Sequence, residues 1–435
     1  MNSTDPRLLL SLWVYAYSKG IGSAREIERQ CEHDPAFQWL TGMEGVNYHT
    51  LSSFRSENQG ALDELFVQVL GVLSGEGLIR LERVTQDGTK VKAYASPASF
   101  RREDRLREHL QAAREQVEHL SELGEAEREG VRRVKAQARA ARERKERLAL
   151  ALQELETIRA NKSRRSEHEA RASETDPEAR VMRQADGGYA PSYNLQLSTD
   201  SAAGIIVGTA VSQTRTDFEH LAPAVQRIEA HLGRLPGQMI ADSGYTTKEN
   251  ILALQDQGVD FIGVMGLGTA NPANRYKVAG IDPGYFAEAF TYDQDSDSYR
   301  CPAGKRLRLF SRTTKKGCSQ YRYRARADDC GACAFKPLCC PKTAHGRSVT
   351  RSEDDPVVTA FKQRMQEPAV KEIYKRRSRL AEFPNAWIKE KIGLGRFRLR
   401  GLTKVRMETL RAVITYNIAQ WVRLRWRPQW RTAVI

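Results

Sequence analysis

Four short runs, Tyr193-Asn-Leu-Gln-Leu-Ser198, Gly204-Ile-Ile-Val-Gly-Thr-Ala-Val211, Gln238-Met-Ile-Ala241 and Asp260-Phe-Ile-Gly-Val-Met265, decide how this chain folds. The first alternates apolar and polar side chains, the period of a half-buried strand, and the others are continuous apolar runs of strand length. Between the second and third, a helical stripe runs to Leu232 with Asp217 as its expected cap, and Glu249 to Gln257 is helical between the third and fourth. Towards the N-terminus, Leu78-Ile-Arg-Leu-Glu-Arg-Val84 also alternates and runs into Gln86-Asp-Gly-Thr-Lys90, with Val91-Lys-Ala-Tyr-Ala-Ser96 continuing extended. Asp87 is therefore expected at the end of a strand, and Asp242 directly after one.

The resulting order of strand, strand, strand, helix, strand, helix, strand is that of a ribonuclease-H-like α/β core, split here by an insertion after its first strand. Residues 1–76 are expected to form an all-α N-terminal DNA-binding domain. Leu8, Leu9, Leu12, Tyr15 and Ala16 make one helical stripe, Ser23 with Glu26 a capping box, Leu62, Leu65, Phe66, Val69 and Leu73 another stripe, and Phe54-Arg55 a helix entry. A plain scaffold is the alternative there, since no base-reading helix stands out. Residues 77–100 hold the first part of the core. Residues 101–185 form an inserted helical arm and a polar linker from Ser163. Leu106, Leu110, Ala113, Val117 and Leu120, then Val131, Val134, Ala138, Ala141, Leu148, Leu152 and Leu155 keep a coiled-coil spacing. Either a hairpin turning near Gly124 to Gly130 or one long coil fits, with a structural or dimerising role. Residues 186–265 are the second part of the core, 266–370 a basic Cys-rich insertion, and 371–435 the helix of Glu382 followed by a basic C-terminal helix that completes the core.

The chain carries a formal charge of +15 over 435 residues, which points to a polyanionic partner. Residues 371–431 hold 17 Lys or Arg against 4 acids, and residues 300–351 hold 14 against 2, so the final third is the expected nucleic-acid face. No stretch has the apolar length of a membrane span, the first residues lack a signal pattern, and the protein is expected in the cytoplasm, at the nucleoid. Nothing matches a nucleotide-triphosphate loop, Gly266-Leu-Gly268 being too little, so ATP is not an expected partner.

Six of seven cysteines lie between Cys301 and Cys340. Cys301, Cys330, Cys333 and Cys339 supply four soft thiolates, the set that tetrahedral Zn²⁺ takes in a structural site, with Cys340 or His345 as possible replacements for one ligand. A redox pair at Cys330 and Cys333 is the rival, without the strand and helix context such pairs have. Lys305, Arg306, Arg322 and Arg324 around this zinc knuckle would hold DNA. Asp87, Asp242 and Glu382 are hard ligands far apart in sequence. Converging, they would hold two Mg²⁺ (or Mn²⁺) ions about 3.5 to 4 Å apart for phosphodiester chemistry. Singly, an Asp before Gly is a turn former and Glu382 an exposed helix residue.

Asp5-Pro-Arg-Leu-Leu-Leu10, Gly20-Ile-Gly-Ser-Ala-Arg25, Thr50-Leu-Ser-Ser-Phe-Arg55, Gln86-Asp-Gly-Thr-Lys90, Tyr193-Asn-Leu-Gln196, Ala241-Asp-Ser-Gly-Tyr245 and Arg400-Gly-Leu-Thr-Lys-Val405, in this order along nearly the whole chain, resemble the bacterial insertion-sequence transposases of the DDE class, specifically the eleven-eighty-two family. The resemblance implies cleavage of transposon ends by water and attack of the freed 3′-hydroxyl on target DNA. It implies double-stranded DNA as partner, terminal inverted repeats and target alike, and a homodimer in the active complex. By motif, Asp87, Asp242 and Glu382 are the three acids. Tyr374 and Arg377 before Glu382, and Lys389 seven residues after it, resemble the tyrosine, arginine, glutamate, lysine signature of related transposases. Four residues separate Arg377 from Glu382, where the signature has three. Arg377 and Lys389 would position phosphates, and Lys391, Arg396, Arg398, Arg400 and Lys404 would bind the duplex. Family members commonly carry further residues before the Asp-Pro-Arg segment, so part of an end-binding region is expected outside this sequence. Two alternatives remain: a catalytically silent or domesticated relative that binds terminal repeats, and a ribonuclease-H-like nuclease without strand transfer.

Overall fold

A computed structural model describes residues 5–126, 131–162, 169–265, 276, 278–314 and 318–427, with the backbone alone for 122–126 and 131–132. Residues 127–130, where a turn was one expectation, and the Gly266-Leu-Gly268 segment lie outside these residues. The chain divides into two compact units, Met1–Gly237 with Arg377–Ile435, and Gln238–Arg376.

The first unit opens with helices α1 (Pro6–Ser18), α2 (Ala24–His33), α3 (Pro35–Thr41), α4 (Tyr48–Glu57) and α5 (Gln59–Gly75). Asp5 starts α1 by accepting the Arg7 amide, and Asp34 starts α3 by accepting those of Ala36 and Phe37. Leu9, Leu12, Trp13, Ala16 and Tyr17 bury one face of α1, and the Trp13 indole N–H donates to Leu51 O at 3.2 Å. Two expectations are corrected. Ser23 precedes α2 without a side-chain cap bond, because Glu26 accepts from Arg29 and Gln30 instead. Phe54-Arg55 lies in the last turn of α4, not at a helix entry.

Strand β1 (Val84–Lys92) begins six residues later than the alternation from Leu78 suggests. Leu81 takes a left-handed φ of 58°, and the amides of Arg80 and Leu81 donate to the Asp200 carboxylate rather than to a ladder. Asp87 consequently sits in the middle of β1, not at its end. After the short pair β2 (Phe100–Arg101) and β3 (Ala172–Ser173) and strand β4 (Arg180–Arg183), β5 (Tyr189–Asp200) pairs antiparallel with β1, with β4 and with β6 (Ile206–Ser212).

Between β2 and β3, α6 (Glu103–Ala126) and α7 (Val131–Ala160) pack along one another, so the insertion is a helical hairpin. Its seam closes at the base, where Leu106, Leu110 and Ala113 meet Leu148, Ala151 and Leu155, and the Arg159–Glu103 ion pair joins the two helices there. Within the expected linker, the described residues from 169 onwards are anchored. Asp176 is buried, accepting from Tyr193 Oη at 2.7 Å and from the Gly401 amide at 3.1 Å.

Burial raises the Asp176 carboxyl to about 6, although both donors favour its ionised form. Between about pH 4, where an unfolded Asp titrates, and pH 6, the folded chain keeps a proton that the unfolded chain has lost. The stability this group contributes is therefore present at pH 4 and is lost as pH rises through 6. Asp176→Asn cannot ionise, so the drop in melting temperature from pH 4.5 to pH 7 is expected to be smaller in the variant than in the wild type. Identical pH dependence would exclude this assignment.

Helix α8 (Leu221–Leu232) covers β6; His220, not Asp217, stands at its cap position, without a side-chain cap bond. In the second unit, β7 (Gln238–Ala241) and β8 (Asp260–Ile262) pair in parallel around α9 (Lys248–Asp256). Five antiparallel strands follow in the spatial order β13 (Ser348–Asp354), β12 (Cys318–Arg324), β11 (Arg306–Thr314), β10 (Ser298–Arg300) and β9 (Thr291–Asp293). The Cys-rich segment is thus a small sheet domain, with short helices α10 (Ala327–Gly331) and α11 (Lys336–Cys339) beside it. Helices α12 (Pro356–Arg364) and α13 (Pro368–Lys375) end this unit.

The chain then re-enters the first unit through α14 (Arg377–Ala386) and ends in α15 (Leu402–Trp421). The latter is buried on nearly all sides rather than being a basic surface helix, and its Glu408 and Arg411 are both internal. Glu408 accepts the amides of Arg398 and Leu399. Among the described residues no helix is long and apolar enough to cross a membrane.

Candidate active site

Pairing of β1 with β5 sets two faces. Gln86, Gly88 and Lys90 lie opposite Ser198, Gln196 and Asn194, and Asp87, Thr89 and Val91 lie opposite Leu197, Leu195 and Tyr193. Helix α14 packs against β1 and β5, and from it two side chains reach Asp87. Asn385 Nδ2 donates to Asp87 Oδ2 at 2.7 Å, and Arg377 Nη1 lies 3.7 Å from Asp87 Oδ1. Arg377, Ala381 and Asn385 follow one another at four-residue steps, which keeps them on one helix face. Pro384 has no amide to donate, and the chain widens immediately afterwards into a π-type turn over Trp387–Lys391. That turn holds Lys389 half-buried, with Asp87 and Lys90 as its charged neighbours; burial pushes its ammonium pKa down and Asp87 pulls it back up.

Asn385 was not visible from sequence, since an amide within a helix has no signature. It is 8% exposed, and its Oδ1 is buried with no hydrogen-bond partner, while its Nδ2 is shared between Asp87 and Ala381 O. A buried carbonyl oxygen without a donor, next to a carboxylate, is what a hard cation or its bound water would satisfy. The opposite face of β1 was missed as well. Asp217 Oδ1 accepts from Asn194 and Gln196, each at 2.7 Å, and from Lys90 at 3.3 Å, while Gln86 donates to Gln196 and accepts from Ser198. This buried polar network fixes β1 against β5 from behind the carboxylate, and it explains why Asp217 is not free to cap α8.

Glu382 is exposed, about a quarter turn of α14 away from the Asn385 stripe, and its Oε1 accepts from Ser378 Oγ at 2.5 Å. Asp242 belongs to the second unit. It follows β7 directly, as expected, and its Oδ1 accepts the Gly244 amide at 2.8 Å, which tightens the turn that leads to the buried Tyr245. The structure therefore gathers Asp87, Arg377 and Lys389 and adds Asn385. Among the described residues no three His, Cys, Asp or Glu side chains are arranged to hold a metal ion. For a divalent cation, the Asp87 carboxylate and the orphaned Asn385 oxygen have the right hard-donor chemistry.

In the second unit, Cys301, Cys330, Cys333, Cys339 and Cys340 all line one small cavity, and none forms a disulfide. Gly304 (φ 75°) turns the Cys301-Pro-Ala-Gly-Lys segment so that the Lys305 amide donates to Cys301 Sγ at 3.3 Å, and the Arg347 amide donates likewise to Cys330 Sγ. Burial pushes the Cys339 thiol up to about 12.

Of the expected DNA contacts, Lys391, Arg396, Arg400 and Lys404 are exposed in the first unit. Arg398 is a correction. Its guanidinium occupies the space where a side chain on Gly22 would be and has a buried, unpartnered Nη1, so it packs inward. In the second unit Lys305, Arg306 and Arg322 are exposed, Arg324 stacks on Phe310 at 3.7 Å, and Tyr374 is half-buried on α13.

Two stretches match known families. Residues 300–422 match a transposase DDE domain, which takes in Glu382 and Lys389, and residues 1–57 match a transposase domain (DUF772). No curated protein matches the chain.

Proposed function

We propose that this chain, supported as an insertion-sequence DDE transposase by the domains matched at both of its ends, cuts the ends of its element and joins the freed 3′-hydroxyls to target DNA. The observation that carries the reading is the Asp87 carboxylate held mid-strand between Asn385 and Arg377, on the helix that also bears Glu382 and Lys389. The chain order of three antiparallel strands, a helix, and two parallel strands around a helix supports a ribonuclease-H-like core, and the seven motifs support membership of the eleven-eighty-two family.

In this reading Asp87, Asp242 and Glu382, the three acids that the motifs imply, would hold Mg²⁺ or Mn²⁺. When bound, the metal supplies an activated oxygen nucleophile and a stabilised leaving oxygen. Asn385 orients the Asp87 carboxylate, and its buried Oδ1 is a further hard donor beside it. Arg377 and Lys389 bring two cationic groups to the scissile phosphate, countering charge that grows as the phosphorus centre is attacked. Water attacks phosphorus, the P–O3′ bond breaks, and the 3′-oxygen leaves as a hydroxyl. That hydroxyl then attacks a target phosphate and the target strand's 3′-oxygen leaves as a hydroxyl, so this second step, a transesterification, conserves the number of phosphodiesters and needs no ATP. Two copies of the chain, one for each element end, form the active complex.

The five-cysteine cavity is read as a structural Zn²⁺ site of four thiolates. Purified protein is expected to carry one zinc per chain. Cys330→Ser should lose that zinc and melt several degrees lower, whereas full-length protein that is well folded and zinc-free would remove the site.

The reading is tested by incubating wild-type protein and Mg²⁺ with a labelled duplex that carries the element's own ends, with a target plasmid present. Cleaved ends and joined products support the transposase; cleaved ends alone indicate a nuclease. Binding without cleavage indicates a silent DNA-binding relative, a reading in which the Ser378 bond to Glu382 is simply its resting state.

A further inference from the structure

Outside the candidate site, one charged feature has no ion-pair partner among the described residues. Residues 133–147 of α7 carry seven Lys or Arg against two acids, placed on the N-terminal half of the helix, where the macrodipole disfavours positive charge. Arg133, Arg144 and Arg147 recur at steps of 11 and 3 residues, which puts them on one side of α7, with the small or polar Ala140 and Gln137 between them. Arg133 and Arg144 are exposed, and among the described residues none of the three arginines forms an ion pair.

At the base of the arm this side meets another basic group. Burial and the positive charge of Arg400 both act against the Arg147 guanidinium, which Glu143 on its own helix partly offsets; its Nε is buried without a hydrogen-bond partner. Arg400 lies over the half-exposed Tyr94 ring at 4.7 Å and donates to Tyr94 O. Two guanidiniums that act on one another repel, and an anion between them would relieve that repulsion.

The same basic line leads back to Asp87. The Lys92 amide donates to Gly395 O and Lys92 O accepts from the Phe397 amide, so the segment that carries Arg396 and Arg400 runs beside the end of β1. From Asp87 to Tyr94 is about 23 Å of strand, and from Arg147 to Arg133 about 21 Å of helix. The path corresponds to on the order of a dozen base pairs.

We propose that the hairpin arm is a DNA-binding arm: the sugar-phosphate backbone of the end duplex runs from Asp87 past Arg400 and Arg147 and out along the Arg144 and Arg133 side of α7. The proposal rests on the transposase reading, and it assigns to the arm a polyanionic partner in place of a purely structural or dimerising role.

The test is the affinity of full-length protein for a 30-base-pair duplex bearing the element's end, measured as a function of salt. Wild type is compared with the double variant Arg133→Glu, Arg144→Glu and with the conservative double variant Arg133→Lys, Arg144→Lys. Both positions are exposed, and circular dichroism checks that the helix is retained. The charge reversal is expected to weaken binding by about tenfold or more at moderate salt and to make the log–log salt slope shallower by about 2, while the Lys variant stays near wild type. For a duplex trimmed to leave fewer than roughly six base pairs beyond the cleavage site, wild type and charge-reversed protein should bind alike, because that duplex ends short of α7.

Unchanged affinity and slope in the charge-reversed protein would overturn the arm assignment while leaving the cleavage reading intact. A changed oligomeric state with unchanged DNA affinity would return the arm to a dimerising role. Wild-type protein that binds no duplex at all would overturn the transposase reading, and this proposal with it.

Discussion

Asp87→Ala is expected to lower Mg²⁺-dependent cleavage of end DNA by roughly 10³-fold or more while leaving duplex binding within a few-fold of wild type. The size follows from the position of the carboxylate. Asp87 is held in the centre of a paired strand, approached from one face by Asn385 and Arg377, and it is a charged neighbour of Lys389. Removing it deletes the hard ligand that this whole arrangement converges on. Arg377 and Lys389 then each lose one negative neighbour, which favours phosphate binding rather than weakening it. Cleavage that persists at a tenth or more of the wild-type rate would show that the chemistry lies elsewhere.

The second large effect belongs to Asn385. Asn385→Ala is expected to reduce cleavage by about 10- to 100-fold, the usual cost of losing a group that orients a metal ligand, and to raise the Mg²⁺ concentration needed for half-maximal rate. The amide holds Asp87 Oδ2 at 2.7 Å, and its buried Oδ1 has no donor. A purely structural Asn385 would lower the melting temperature without moving the Mg²⁺ requirement, so the metal titration separates the two roles. Asn385→Asp, which keeps the shape and adds a hard ligand but puts a second carboxylate beside Asp87, should retain Mg²⁺ binding and lose the hydrogen bond.

The sequence showed the element order well, because strands of period two and helices of period 3.6 differ over even short windows. The hairpin seam and the position of Asp242 directly after its strand were legible for that reason. What it did not show has particular causes. The strand of Asp87 starts late because Leu81 adopts a left-handed conformation and Asp200 takes the preceding amides, a contact across 119 residues that no local pattern contains. The polar segment after the arm looked like a linker because its one anchoring acid, Asp176, is buried through partners at Tyr193 and Gly401. Helix α15 carries almost no amphipathic period because it is surrounded on nearly every side. Charge counting also overstates the DNA face, since Arg398 and Arg411 turn inward. Of the residues gathered at β1, Asp87, Arg377 and Lys389 were readable from motifs; Asn385 and the network behind β1 emerged only from the packing of α14 and β5 on β1.

The proposed function requires Asp242 and Glu382, as well as Asp87, for metal-dependent DNA cleavage. Its most direct measurement is Mg²⁺-dependent cleavage of a labelled end duplex by Asp242→Ala and by Glu382→Ala, at protein concentrations that saturate the DNA. The account predicts that both variants bind the duplex as wild type does and that both lose cleavage to the same degree as Asp87→Ala. Cleavage near the wild-type rate by either variant would contradict it.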